Sequence, residues 1–154
     1  ISSRPVQPED EALLISLYGS TRERELATVP WDAAQREIFI RFQCAAQLQH
    51  YQAEYPEAIH QIIVCNGQPV GRIYVDRRET EIRILDITLL PTERGKRIGT
   101  PLIRELMDEA SKVGKAVSIF VENDSPSMRL FERLDFNVVE NTGYQSLMVW
   151  KTSS

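Results

Sequence analysis

Leu89-Leu90-Pro91-Thr92-Glu93-Arg94-Gly95-Lys96-Arg97-Ile98-Gly99-Thr100 is where a strand-like apolar run gives way to a helix-like pattern. Arg94, Lys96 and Arg97, with Gly95 and Gly99, fall within six residues. They sit where a starting helix presents backbone N–H groups that have no intrahelical partner. Cationic side chains around such donors suit a phosphate or another anion. The plainer alternative is a strand-to-helix turn, with glycines for backbone freedom and charges that are simply solvated. The sequence on either side of the stretch separates the two.

Upstream the period is that of strands. Gln61 to Cys65 is β-branched and apolar, Asn66-Gly67 is a strong type I′ hairpin signal, and Val70 to Asp76 resumes as a strand. Arg77 to Thr80 turns the chain into Glu81 to Leu90, so three consecutive antiparallel strands lead into the cationic stretch. Downstream, Leu102, Ile103, Leu106, Met107, Ala110 and Val113 recur on one helical face, and Gly114 is a stop signal. Pro101 falls in or near the first turn, where a missing N–H costs least. Ala116 to Val121 then reads as a short buried strand. A strand, crossover helix, strand unit makes it parallel to Glu81 to Leu90, giving a mixed sheet.

The N-terminal third is helical. Ser3 to Val6 reads as a first strand, and Pro8-Glu9-Asp10 opens a helix to about Tyr18 that Gly19 ends. Ser20 to Val29, with Arg22, Glu23, Arg24 and Glu25, reads as a solvated loop. Asp32-Ala33-Ala34-Gln35 is a variant capping box opening a long helix to about Glu54. Ile38, Phe39, Phe42, Ala45 and Ala46 recur along it at helical spacing, and Pro56 closes it.

At 154 residues the chain fits a single domain, 1–154, large enough to hold together without a metal or disulfide. Its formal net charge of -4 argues against a general nucleic-acid binder, whose footprint is a basic face. The basic cluster at residues 94 to 97 is therefore local. Cys44 and Cys65 fall in apolar runs as buried thiols do and make no metal-ligand spacing, so no metal is expected and a cytoplasmic location is. No apolar run approaches the length of about 18 residues needed to span a membrane, and no membrane partner is expected.

A second informative stretch is Val121-Glu122-Asn123-Asp124-Ser125-Pro126-Ser127-Met128-Arg129-Leu130-Phe131-Glu132-Arg133-Leu134-Asp135-Phe136. Asn123 to Ser125 supply capping side chains and Pro126 fits the first helical position, so a strand again ends against a helix N-terminus. With the cationic stretch, this pattern resembles the Gcn5-related N-acetyltransferase (GNAT) superfamily. Its pyrophosphate loop runs Arg/Gln-x-x-Gly-x-Gly/Ala after the fourth strand. An Asn follows the fifth strand, then an aromatic eight residues on, usually Tyr, then a Gly-Phe pair. The resemblance covers nearly the whole chain, with a final hairpin of Phe136 to Glu140 and Tyr144 to Lys151. Here the first loop glycine is replaced by Arg97, the tyrosine by Phe131, and the glycine before Phe136 by Asp135.

The resemblance implies an α/β (α+β) fold: a mixed, mostly antiparallel sheet of about seven strands with about four helices, its central parallel pair splayed to receive acyl-CoA. It implies acetyl-CoA or coenzyme A as co-substrate, with the backbone of Arg94, Gly95, Lys96, Arg97, Ile98, Gly99 and Thr100 around the pyrophosphate. Leu89 N–H would polarise the thioester carbonyl, and Asn123 and Phe131 would lie along the pantetheine arm. Arg129 or Arg133 would reach the nucleotide phosphates. The activity implied is acetyl transfer to a primary amine of a small molecule or peptide, with a homodimer allowed. The alternative is an acyl-CoA-binding or sensing module that kept the fold. Phe131 cannot donate a proton, so the usual acid is missing. For the base, Asp86 stands inside the apolar run Ile84 to Leu90, where desolvation makes a carboxylate a better proton acceptor. Arg22, Arg24, Arg72 and Tyr74 are further candidates to line the acceptor pocket.

Overall fold

The computed structural model describes residues 1–152. Seven strands form one mixed sheet in the order β1-β2-β3-β4-β5-β7-β6. In chain order these are β1 (Ser2–Pro5), β2 (Ile59–Cys65), β3 (Gln68–Arg77), β4 (Glu81–Leu89), β5 (Ala116–Glu122), β6 (Asn137–Asn141) and β7 (Gln145–Trp150). The helices are α1 (Glu11–Leu26), α2 (Ala33–Glu54), α3 (Gly99–Lys112) and α4 (Ser127–Arg133). β4 and β5 are parallel, as the crossover through α3 requires. The chain forms two compact units: Ile1–Ile73 with Thr88–Lys96, and Tyr74–Ile87 with the chain from Arg97 onward.

In the first unit, Leu14 and Tyr18 of α1, Cys44 of α2 and Ile62 of β2 make a common core, joined by Ile40 and Leu48. The capping box forms as its residues dictate: Gln35 N–H donates to Asp32 Oδ1 at 2.8 Å, and Asp32 N–H to Gln35 Oε1 at 2.9 Å. Asn66 and Gly67 take φ of 52° and 77°, the two positive values a type I′ turn needs.

Two helix readings are corrected. Gly19 does not end α1, which continues to Leu26. Ser20 and Thr21 bond back to the carbonyls of Leu17 and Tyr18, and Leu26 is buried. Gly19 instead gives room to α2, since a Cβ there would lie 3.3 Å from Ile40 Cδ1. On α2, the stripe of Ile38 and Phe42 is not the packed face; both residues are 69% exposed. The helix docks through Ile40, Cys44 and Leu48, an overlapping stripe with the same period.

In the second unit, α3 buries Leu102, Ile103, Leu106 and Ala110, and β5 buries Val117, Ile119 and Val121. Val113 falls outside this face, because α3 ends at Lys112 and Val113 is exposed. Gly114, at φ 69°, turns the chain into β5. Phe131 of α4 is 1% exposed and meets Phe136 edge-on, with ring centroids 5.1 Å apart. β6 and β7 close the chain as an antiparallel hairpin with a register shift between Val138 and Glu140.

Candidate active site

β4 and β5 are paired over only part of their length. The ladder runs from Glu81 opposite Ala116 to Ile84 opposite Ile119, while β4 goes on to Leu89 and β5 to Glu122. Asp86 lies in this continuation of β4 and is half-buried. At the end of β4, Leu90 N–H donates to Val70 O at 2.9 Å, which ties the strand end to β3.

A 3-10 turn, Pro91–Glu93, follows. Gly95 and Arg97 then take φ of 79° and 59°, both left-handed. Glycine adopts that backbone freely, whereas arginine does so at a cost. α3 begins at Gly99 with Ile98 before it, and no side chain caps its N-terminus. The amides of Gly99 and Thr100 therefore lack the usual side-chain acceptor, and Pro101, third in the helix, has no N–H to satisfy. A Cβ at Gly99 would touch only Ile87 Cδ1, at 4.0 Å, and one at Gly95 would touch nothing within 4 Å.

Arg94, Lys96 and Arg97 are exposed, while Ile98 is 2% exposed and is buried in the interior. Arg94 Nη2 donates to Ser20 Oγ at 3.2 Å, and Lys96 Nζ lies 3.4 Å from Glu93 Oε2. An uncapped helix start with Arg97 just before it in the chain suits an anion.

The residues after β5 are more tightly engaged. Asn123 Oδ1 accepts from Ser146 Oγ at 2.6 Å, its Nδ2 donates to Asn141 Oδ1 at 3.1 Å, and its backbone N–H donates to Tyr144 O at 2.8 Å. Pro126 stands just before α4, and Ser125 Oγ accepts from Ser127 N–H at 3.2 Å. Arg129 and Arg133, one turn apart on α4, are exposed. Phe131 between them serves the interior. Leu89, Arg94, Gly95 and Lys96 belong to the first unit, and Asp86, residues 97–100, Asn123 and α4 to the second.

Of the acceptor candidates, Arg22 lies over the Tyr18 ring and donates to its hydroxyl at 3.0 Å. Arg72 is 2% exposed and donates to Gln47 Oε1 at 2.6 Å, and Tyr74 is 4% exposed. Ser20, Ser146 and Asn141 were not legible as partners from the sequence, since each pairs with a residue distant in the chain.

The family model for acetyltransferases of the GNAT family matches residues 22–136. The chain belongs to the GNAT family. Solved GNAT structures share its fold from end to end. A PaiA N-acetyltransferase from Thermoplasma acidophilum, in complex with coenzyme A, is 18% identical with a TM-score of 0.71, covering 98% of each chain. The ribosomal-protein-S18-alanine N-acetyltransferase from Escherichia coli is 17% identical, TM-score 0.64, over 99% of this chain and 94% of its own. An aminoglycoside 6'-N-acetyltransferase complexed with coenzyme A is 14% identical, TM-score 0.65, over 98% and 97%. No curated protein matches the chain in sequence. Among the described residues no helix is long and apolar enough to cross a membrane, and no cluster of side chains is fit to hold a metal.

Proposed function

We propose that this GNAT chain transfers an acetyl group from acetyl-CoA to a primary amine by direct attack. The observation that carries the reading is the uncapped start of α3, preceded in the sequence by Arg94, Lys96 and Arg97, after the length of β4 that lies beyond its ladder with β5. Coenzyme A complexes of the PaiA and aminoglycoside relatives support the same co-substrate.

In this reading the amides of Gly99 and Thr100 and the side chains of Arg94, Lys96 and Arg97 bind the pyrophosphate. Arg129 or Arg133 serves the remaining 3′-phosphate. Acetyl-CoA supplies an activated acyl group: the amine nitrogen bonds to the thioester carbon and gives up its second proton to solvent, the C–S bond breaks, and CoA leaves as a thiolate. Leu89 N–H donates to the carbonyl oxygen where negative charge develops. Asp86 takes the proton that the incoming ammonium must lose, because only the free amine attacks. No side chain is assigned to protonate the thiolate. Phe131 has no proton to give and is packed against Phe136, so the thiolate leaves unassisted or is protonated by water.

That same phenylalanine favours a second reading, an acyl-CoA-binding or sensing module with little turnover. Thermal melting with acetyl-CoA tests both. Ligand at about 100 times its dissociation constant stabilises a fold by roughly 2.7 kcal/mol. No shift at millimolar acetyl-CoA sinks both readings. A shift with thiol release on amines, amino acids, polyamines or peptides supports the enzyme, and a shift without release supports the sensor.

A further inference from the structure

Gly71 lies inside β3 and is buried. Its φ is not among the positive values, so it is not there for a left-handed turn. Space is the reason. A Cβ at this position would stand 2.4 Å from Thr88 O, 2.9 Å from Leu89 Cδ2 and 3.2 Å from Leu89 Cα. The first of these is a backbone atom and cannot swing aside as a side-chain tip can. A glycine inside a strand marks such a close backbone approach. The contact falls one residue from the hydrogen bond of Leu90 N–H to Val70 O, so β3 holds the end of β4 on both sides of Leu89.

The peptide unit involved is the one that matters for the proposed chemistry. Thr88 C=O and Leu89 N–H belong to the same planar group, and among the described residues no peptide bond is cis. In a trans peptide the carbonyl and the amide hydrogen point in opposite directions. With Thr88 O directed at Gly71, Leu89 N–H is directed away from β3. Filling the space at residue 71 would push the carbonyl and turn the whole plane, and the N–H with it.

We propose that Gly71 is a positioning residue for acyl transfer: the absent side chain lets the Thr88–Leu89 peptide sit against β3 and so aims Leu89 N–H at the thioester carbonyl. This rests on the acyltransferase reading. Hydrogen bonds weaken steeply with angle, and loss of one oxyanion donor lowers turnover by about a hundredfold or more.

The test compares wild type with Gly71→Ala. The expected result is a fall in kcat of at least about tenfold, with the dissociation constant for acetyl-CoA held within about threefold, since the phosphate donors are untouched. Wild-type kcat in the variant overturns the proposal, and so does a parallel loss of kcat and acetyl-CoA affinity, which marks a general packing lesion. If the variant does not fold, the Leu89 amide resonance of the wild-type protein decides. It should move with acetyl-CoA relative to CoA, which lacks the thioester carbonyl, and the same position in both complexes overturns the proposal. A wild type that binds neither ligand fails the acyltransferase reading itself, whereas an active wild type with an equally active Gly71→Ala variant fails only the positioning role.

Discussion

Ser146 Oγ, 1% exposed in β7, donates a 2.6 Å hydrogen bond to Oδ1 of Asn123 at the end of β5. The pair is not symmetric in energy. Asn123 is exposed, so water can replace a lost Ser146 hydroxyl, whereas Ser146 has no such recourse. Ser146→Ala should cost about 1 kcal/mol, the net worth of an ordinary hydrogen bond. Asn123→Ala should cost more, about 1–3 kcal/mol, because it strands a buried hydroxyl. Urea unfolding of the two variants checks the order, and a Ser146→Ala variant less stable than Asn123→Ala refutes it.

That bond also marks where sequence reading stops. The capping box at Asp32 and Gln35, the Asn66-Gly67 turn and the stop at Gly114 were all legible, because each is decided by residues within one turn of chain. The parallel step between β4 and β5 followed from the crossover helix between them. Gly19 was misread because a glycine's meaning depends on its neighbours, here Ile40 of another helix. The α2 stripes were misread because helical spacing identifies apolar faces without saying which one finds a partner. That Arg94, Lys96 and Arg97 crowd the turn before α3 was legible. That Arg94 rests on Ser20, 74 positions away, was not.

Arg94 is held by a neutral hydroxyl, a partner it can exchange for phosphate at little cost. A charge-assisted hydrogen bond is worth about 1.5–3 kcal/mol, so Arg94→Ala should weaken acetyl-CoA binding by at least about tenfold. Titration calorimetry at fixed ionic strength reads this directly, since added salt alone would screen the exposed loop. An unchanged affinity would remove Arg94 from the phosphate site.

Asp135 stands at φ 69°, the left-handed backbone where the family places glycine. Among the described residues its carboxylate makes no hydrogen bond that offsets this; its N–H donates to Glu132 O at 3.0 Å, and its carbonyl accepts from Asn137 Nδ2 at a long 3.5 Å. Asp135→Gly should therefore stabilise the protein by about 0.5–1 kcal/mol. For a chain of this size that raises the melting temperature by about 1–4 °C. A lower melting temperature would mean that the aspartate side chain has a role of its own.

Asp10, 5% exposed, accepts from Arg4 Nη1 and Nη2, each at 2.9 Å, and from the Gln7 N–H at 2.8 Å. The hydrogen bonds from Arg4 hold its carboxyl below the usual carboxylate range against the opposing effect of burial; the charge of His60 acts in the same direction as Arg4. A carboxylate with a depressed pKa adds stability above its unfolded value and loses it as pH falls through the folded one. The wild type should therefore lose stability as pH drops below about 4, and Asp10→Asn should be less stable at neutral pH but flatter in acid. Urea midpoints between pH 2 and pH 7 check this, and parallel curves for the two proteins would contradict it.

Asp86 is the proposed acceptor for the ammonium proton, and its test separates a base from a structural carboxylate. Asp86→Asn keeps the size of the side chain while removing its capacity to take a proton. If Asp86 is the base, kcat should fall by about 10²–10⁴-fold, the usual contribution of general-base catalysis. The variant should also lose the limb of the pH–rate profile that reports the base, its rate then following only the supply of free amine. Acetyl-CoA affinity should stay close to wild type, because the proposed proton transfer is separate from phosphate binding. A folded Asp86→Asn variant with an unchanged pH profile would remove Asp86 from the chemistry and leave proton removal to water or to the acceptor's own equilibrium.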